Sequence, residues 1–135
     1  MNKTQEIGWW IVKLTAAIIM LQTLFFKFTA APESTYIFSV LHIEPFGRIG
    51  TGIIELIASI LILIPRTTVY GALMGLSTMI GAIFSHLFFL GIVVLDDGGK
   101  LFILALITAV CCLVLVFKNR EKVWALIPFV YGRKN

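Results

Sequence analysis

Long apolar segments, separated by short polar stretches, make up most of this chain. The segments run over residues 7–28, 46–64, 69–92 and 101–117. Each is about as long as the 17–25 residues that a helix needs to cross the hydrocarbon core of a bilayer. Because backbone polar groups in lipid must bond within their own segment, each segment is expected to be helical. The pattern predicts an all-α protein, a four-helix transmembrane bundle.

The polar stretch between the first two segments predicts a further, shorter helix. Apolar residues recur at mostly helical spacing over residues 34–43. Pro32 stands just before Ser34, and serine is a favoured residue at the N-cap of a helix. We therefore expect a short interfacial helix between helices 1 and 2, lying over the mouth of the bundle as a lid.

The other connections are short, and a basic tail follows the last segment. Residues 65–68 leave so little chain between the second and third segments that these must be antiparallel neighbours. Residues 96–99, with the sequence Asp-Asp-Gly-Gly, favour a turn in water between the third and fourth segments. The basic, aromatic tail of residues 118–135 is expected to lie along the membrane interface, where lysine and arginine attract anionic lipid.

Composition and charge agree with a membrane protein. Hydrophobic residues make up 59% of the chain and charged residues only 13%, whereas about a quarter of residues are charged in soluble domains. We therefore expect one integral membrane domain over residues 1–135. The net charge of +4 does not indicate nucleic-acid binding, because most basic side chains lie beyond the ends of apolar segments. Their distribution predicts that both termini are cytoplasmic. The basic residues on that side are Lys3, Arg66, Lys118, Arg120, Lys122, Arg133 and Lys134.

Several polar side chains interrupt the apolar segments, and such groups in lipid need partners or a function. These residues are Gln22, Lys27, Arg48, Glu55 and His86. At 1.5 Å per helical residue, all five lie in the outer half of the membrane, with Glu55 about 13 Å deep, whereas Lys13 of the first segment lies in the inner half. The sequence predicts that they converge on one polar pocket. Glu55 must be protonated or paired, and it is either a ligand-contacting acid or a structural pin that fixes helix register.

Small residues indicate where the helices pack closely, since apolar surface alone does not drive helix association in lipid. Gly71 and Gly75 form a GxxxG motif in the third segment. Gly52 lies on one face of the second segment together with Arg48 and Glu55. We expect these two stripes to meet.

The sequence gives little support for a disulfide, a metal site, a nucleotide site or a catalytic triad. Cys111 and Cys112 are adjacent in a helical segment, which leaves their Cα atoms too close for a favourable disulfide. His42 and His86 match no zinc-binding spacing, so no metal site is predicted. The chain also contains no phosphate-binding loop, nucleotide fingerprint or catalytic Ser/His/Asp set.

Three motifs together resemble the DoxX family of small four-helix membrane proteins. They are Phe25-Phe26-Lys27-Phe28, the stretch 46–56 with Gly52-Ile53-Ile54-Glu55, and Ser85-His86-Leu87. The resemblance covers about residues 7–117 and rests on the order of the lysine, the glutamate and the histidine across three helices. The first helix lacks the arginine and glycines usual before that lysine in the family. The family resemblance implies a bacterial or archaeal cytoplasmic membrane.

The resemblance implies two different functions. Some family members resemble redox-associated subunits, which would make the pocket a site for a quinone or a small sulfur species. Such a subunit would not catalyse alone and would need another membrane or redox subunit as a partner. Others resemble chaperones that bind and assemble membrane proteins through their helices. Either type contacts the lipid bilayer, and the sequence leaves a homo-oligomer open.

Overall fold

The fold is a bundle of helices that lie side by side. The computed structural model describes residues 2–131, and the side chains of residues 2–125. The helices are α1 (Lys3–Phe28), α2 (Pro32–Val40), α3 (Phe46–Leu63), α4 (Thr68–Ser85), α5 (Lys100–Lys118) and α6 (Arg120–Tyr131). A π-helical turn, His86–Leu90, extends α4. No strand occurs within residues 2–131, and the predicted fold class is confirmed.

Four of the helices are long and apolar enough to cross a membrane: α1, α3, α4 with its π-helical turn, and α5. Their ends differ from the predicted segments by only a few residues. The largest difference is at α1, which begins at Lys3 because Asn2 caps it. The Asn2 side chain accepts a hydrogen bond from the Gln5 backbone nitrogen at 2.9 Å, and the Gln5 side chain accepts one from the Asn2 nitrogen at 3.3 Å.

The short helix α2 begins earlier than the sequence predicted. Pro32 stands in its first turn, where the fixed φ of proline fits and its missing N–H costs no hydrogen bond. The N-cap is Ala31, and no side chain caps the helix. The predicted role of Ser34 as a cap was therefore wrong, because the proline had already started the helix two residues before it.

The long helices form a ring in the order α1, α3, α4, α5, and α1 and α5 share the sparsest contact. Because neighbours in the ring are antiparallel, the N terminus, the α3–α4 turn and the start of α6 lie at one end of the bundle. We call that half the terminal half. The half that carries α2 and the α4–α5 loop is called the distal half.

The α3–α4 turn is closed by threonine hydroxyl groups. Pro65 follows α3 and cannot continue it. Thr67 Oγ1 donates to the Leu61 carbonyl at 2.9 Å, and Thr68 Oγ1 donates to the Ile62 carbonyl at 3.0 Å. These bonds satisfy carbonyl groups at the end of α3 that have no helical partner. The hairpin expected from the short connection is present.

The apolar core lies mainly in the terminal half. Its fully buried members there are Ala16, Met20, Ala58, Ile62, Ala72, Cys112 and Leu115. Gly71 allows the closest helix approach in this region, because a Cβ atom on it would lie 2.6 Å from the Ala58 carbonyl oxygen and the Ile62 nitrogen.

The two glycine stripes do not meet as the sequence predicted. Gly71 does pack against α3, but a Cβ on Gly75 would approach Cys112 Sγ of α5 and Met20 of α1. A Cβ on Gly52 would lie 2.7 Å from the Phe28 ring of α1. Each helix in a ring has two neighbours, so the small residues of one stripe are divided between different partners.

The basic tail forms α6, which packs only lightly on α5 among the described residues. Near it, the Lys118 ammonium lies 4.3 Å from the centroid of the Trp9 ring, a favourable cation–π distance. The side chains of Phe129 and Tyr131, and residues Arg133 and Lys134, lie outside the described residues.

Candidate functional site

A cavity of about 680 Å³ occupies the distal half of the bundle. All four long helices contribute to its wall, and α2 contributes Ser34, Ile37 and Phe38 as a roof. Its polar side chains are Thr23, Lys27, Ser34, Thr51, Glu55, Ser77, Thr78, Ser85 and His86. The rest of the wall consists of apolar residues and glycine. The cavity is thus more apolar than the polar pocket that the sequence predicted.

An ion pair between α1 and α3 forms the polar centre of the cavity. Lys27 Nζ lies 2.8 Å from Glu55 Oε1 and 2.9 Å from Oε2. The Glu55 side chain is 2% exposed and that of Lys27 is 15% exposed. Thr23 Oγ1 also lies 3.1 Å from Glu55 Oε2 and 3.0 Å from the Met20 carbonyl oxygen, and its one proton can be donated to either acceptor. Glu55 therefore has a cationic partner and a hydroxyl group within hydrogen-bond distance, as a carboxyl group inside a membrane span requires.

Helical spacing explains how these groups meet. Thr23 precedes Lys27 by four residues, so both lie on the same face of α1. Glu55 lies on the buried face of α3, which packs against that face. The sequence analysis singled out Lys27 and Glu55 but missed Thr23. The four-residue spacing from Lys27 was the signal that could have found it.

Arg48 lies outside the cavity wall and stabilises the junction of α1 and α3 instead. Its Nε donates to Glu44 Oε1 at 2.7 Å, and its Nη1 donates to the Lys27 carbonyl oxygen. That carbonyl belongs to the last turn of α1, where the partial negative charge of the helix end attracts a cation. Arg48 therefore does not join Glu55 in the cavity, because the end of α1 and Glu44 hold its guanidinium group.

His86 lines the cavity from the π-helical turn that ends α4, and the residue is 3% exposed. Its Nδ1 lies 3.0 Å from the Gly91 carbonyl oxygen. A carbonyl can only accept, so Nδ1 donates this hydrogen bond, and Nε2 is an acceptor whenever the ring carries a single proton. Among the described residues, Nε2 has no hydrogen-bond partner. The ring also packs edge-on against Phe102, with centroids 5.5 Å apart.

Gln22 is exposed and does not reach the main cavity. It lines a smaller cavity of about 190 Å³ at the distal end of the α1–α5 contact, together with Asp97 and Lys100. The direction of Gln22 around α1 therefore differs from the one that the predicted pocket required. Of the five predicted site residues, Lys27, Glu55 and His86 share the main cavity, and Gln22 and Arg48 lie outside it.

Asp97 organises the loop between α4 and α5. Its Oδ1 accepts from the backbone nitrogens of Val94 at 3.0 Å and Gly99 at 2.8 Å, and its Oδ2 accepts from Leu101 at 3.2 Å. Burial raises the pKa of Asp97, but these three backbone donors outweigh that effect and hold the pKa below its usual 3.8. Asp97 therefore fixes the position at which α5 begins.

Among the described residues, no group of three or more His, Cys, Asp or Glu side chains is placed to hold a metal ion. Comparison of the chain with protein-family models, curated proteins and solved structures found no match. The fold and its four candidate spans define a multi-pass membrane protein built as a helical bundle. The resemblance to the DoxX family stays a prediction.

Proposed function

We propose that this protein is a non-autonomous, redox-associated membrane subunit that binds a quinone in the distal cavity. The observation that carries the proposal is the Lys27–Glu55 pair, which sets a compact polar group in the wall of a mostly apolar cavity within the candidate spans. A quinone has the matching form, since it joins a polar ring to an apolar tail.

The size and lining of the cavity support a quinone over a small sulfur species. Ligand sites typically enclose about 300–1,000 Å³ and combine apolar walls with a few placed polar groups. The cavity, at about 680 Å³, falls in that range. A small sulfur anion would need an excess of positive charge, but Glu55 neutralises Lys27 and the Arg48 guanidinium group is held outside the wall.

The polar groups can bind both redox forms of a quinone. Two N–H groups of Lys27 serve the two oxygens of Glu55, which leaves a third to donate to a quinone carbonyl. His86 Nε2 is an acceptor suited to the hydroxyl of a quinol. Reduction of a quinone takes up two electrons and two protons. In this proposal a partner redox subunit supplies the two electrons and water supplies the two protons, which reach the ring oxygens by way of Glu55 and His86.

Native mass spectrometry of the detergent-extracted protein tests this function when decylubiquinone is supplied as the probe. We expect the wild type to retain the quinone and Glu55→Gln to bind it about tenfold or more weakly, since hydrogen bonds to charged groups contribute about 1.5–3 kcal/mol. Glu44→Gln is the matched control, because Glu44 pairs with Arg48 outside the cavity. The control should bind as the wild type does.

Two outcomes would contradict the proposal. One is the absence of bound quinone in the wild type. The other is equal binding by the wild type and Glu55→Gln. If Glu55→Gln instead lost a co-purifying membrane protein while quinone binding was absent throughout, the result would favour a chaperone or assembly factor that binds its partners through the helices.

A further inference from the structure

The cavity in the distal half has a side opening toward lipid. Several residues of its wall are exposed, among them Phe26 of α1 and Ile43 after α2. Ile54 of α3 is 41% exposed, and Ser77 and Gly81 of α4 are exposed as well. A Cβ atom added to Gly81 would meet no heavy atom within 4 Å. The cavity therefore reaches the surface beside Gly81, where the side chains are too small to close it.

The depth of this opening places it among acyl chains. Gly81 precedes Leu90, the last residue of the candidate span, by nine residues. At 1.5 Å per residue it lies about 14 Å from the distal end of the span. The hydrocarbon core is about 30 Å thick, so the opening is near the middle of the membrane.

The distal end of the cavity is covered in part. The α2 roof contributes Ile37 and Phe38 to the cavity wall, and Phe38 is only 7% exposed, whereas Ile43 after α2 is 47% exposed. Inside, His86 is 3% exposed, and its Nε2 has no partner among the described residues. The Nε2 atom is accessible from the cavity rather than sealed in the protein, so a polar group of a ligand can bond to it there.

We infer that the ligand enters from the bilayer through the gap beside Gly81, with its polar head against Lys27 and Glu55 and its apolar tail left in the gap. This inference rests on the proposed quinone function and deepens it. The expected ligand is a molecule that dissolves in the membrane and carries an apolar chain. A water-soluble substrate is disfavoured. Ser77 and Gly81 act as specificity-determining positions, because their small side chains leave room for the tail.

Gly81→Phe tests the inference with two probes, decylubiquinone and its tail-less parent quinone, in lipid nanodiscs. A phenylalanine ring fits the open space beside Gly81 and fills the gap. We expect it to weaken decylubiquinone binding by about tenfold, the effect of excluding roughly two methylene groups from an apolar wall. Binding of the tail-less quinone should change less than about twofold.

Gly50→Phe is the matched control. Gly50 lies on α3, a Cβ there also meets nothing within 4 Å, and it does not line the cavity. This variant should bind both probes as the wild type does. Ser77→Phe provides a second block of the gap if Gly81→Phe does not fold, and the same selective loss is expected.

The outcomes separate this inference from the proposed function. Equal effects on both probes, or no effect on either, would overturn side entry while leaving quinone binding intact. If Gly81→Phe instead converted a wild-type dimer into a monomer, the small residues would be a helix-packing face and the inference would fail. Absence of binding of both probes by the wild type would overturn the proposed function, and side entry with it.

Discussion

The two halves of this bundle use their buried positions differently. In the terminal half most buried side chains are apolar, the buried Ser59 and Thr68 hydroxyl groups bond to carbonyl groups of α3, Lys13 is the buried charged residue, and Gly71 brings α3 and α4 into contact. In the distal half the buried residues include Arg48, Glu55 and His86, and they surround or adjoin a large cavity. The packed half keeps the helices together, so the open half can be shaped for a ligand. Four experiments test this division.

The largest effect is expected from the ion pair. Lys27→Met leaves the Glu55 carboxylate buried without its cation, which costs about 3–5 kcal/mol in comparable buried pairs. Unfolding by denaturant in detergent micelles measures this loss. The double variant Lys27→Met with Glu55→Gln removes both charges and should recover much of it. A double variant as unstable as the sum of the two single ones would contradict the pairing.

Truncation of one leucine in each half tests the contrast in packing. Leu115 is fully buried in the terminal core, so Leu115→Ala should cost about 3 kcal/mol through lost contacts and a new cavity. Leu104 already borders the distal cavity, so Leu104→Ala should cost less than about 1 kcal/mol because it only enlarges existing space. The same unfolding measurement compares them. Equal costs would show that the halves are packed alike.

An added methyl group makes a smaller test of the same contrast. In Gly71→Ala the new Cβ overlaps backbone atoms of Ala58 and Ile62, and the overpacking should cost about 2 kcal/mol. Gly81→Ala is the control, because open space surrounds that position. Its melting temperature should stay at or slightly above that of the wild type. A Gly71→Ala variant of unchanged stability would remove the evidence for close helix approach.

The smallest effect concerns pH and the loop that starts α5. The pKa of Asp97 is lower in the folded protein than its usual 3.8, so the ionised form stabilises the fold above that pH. The stabilisation is lost as the pH falls through the folded pKa. Asp97→Asn should therefore melt below the wild type at pH 7, and the difference should be smaller at an acidic pH at which Asp97 is protonated in the folded protein. A difference that is the same at both pH values would contradict this role.

The sequence predicted the fold well, because long apolar segments allow few structures in lipid. The helical bundle and the α3–α4 hairpin follow from segment lengths and a short connection. The helix between the first two segments is only roughly as predicted, since Pro32 rather than Ser34 determines its start. Helix ends depend on single capping contacts, which an apolar pattern does not contain.

The site was less predictable than the fold. Depth along a helix follows from counting residues, and it placed Lys27, Glu55 and His86 at one end of the bundle. Direction around a helix depends on which neighbours pack on each face. For that reason the prediction missed that Gln22 lies toward α5 and that Arg48 lies against the last carbonyl groups of α1. Thr23 was missed because a threonine hydroxyl inside a helix usually bonds its own backbone.

The most direct test of the account is photo-crosslinking with an azido-substituted quinone in lipid nanodiscs, followed by mass spectrometry of the labelled peptides. Labels are expected at residues of the distal cavity wall, above all near Glu55 and Gly81, and competition by decylubiquinone should remove them. Labels spread over the lipid-facing residues of the terminal half, and unaffected by the competitor, would contradict it.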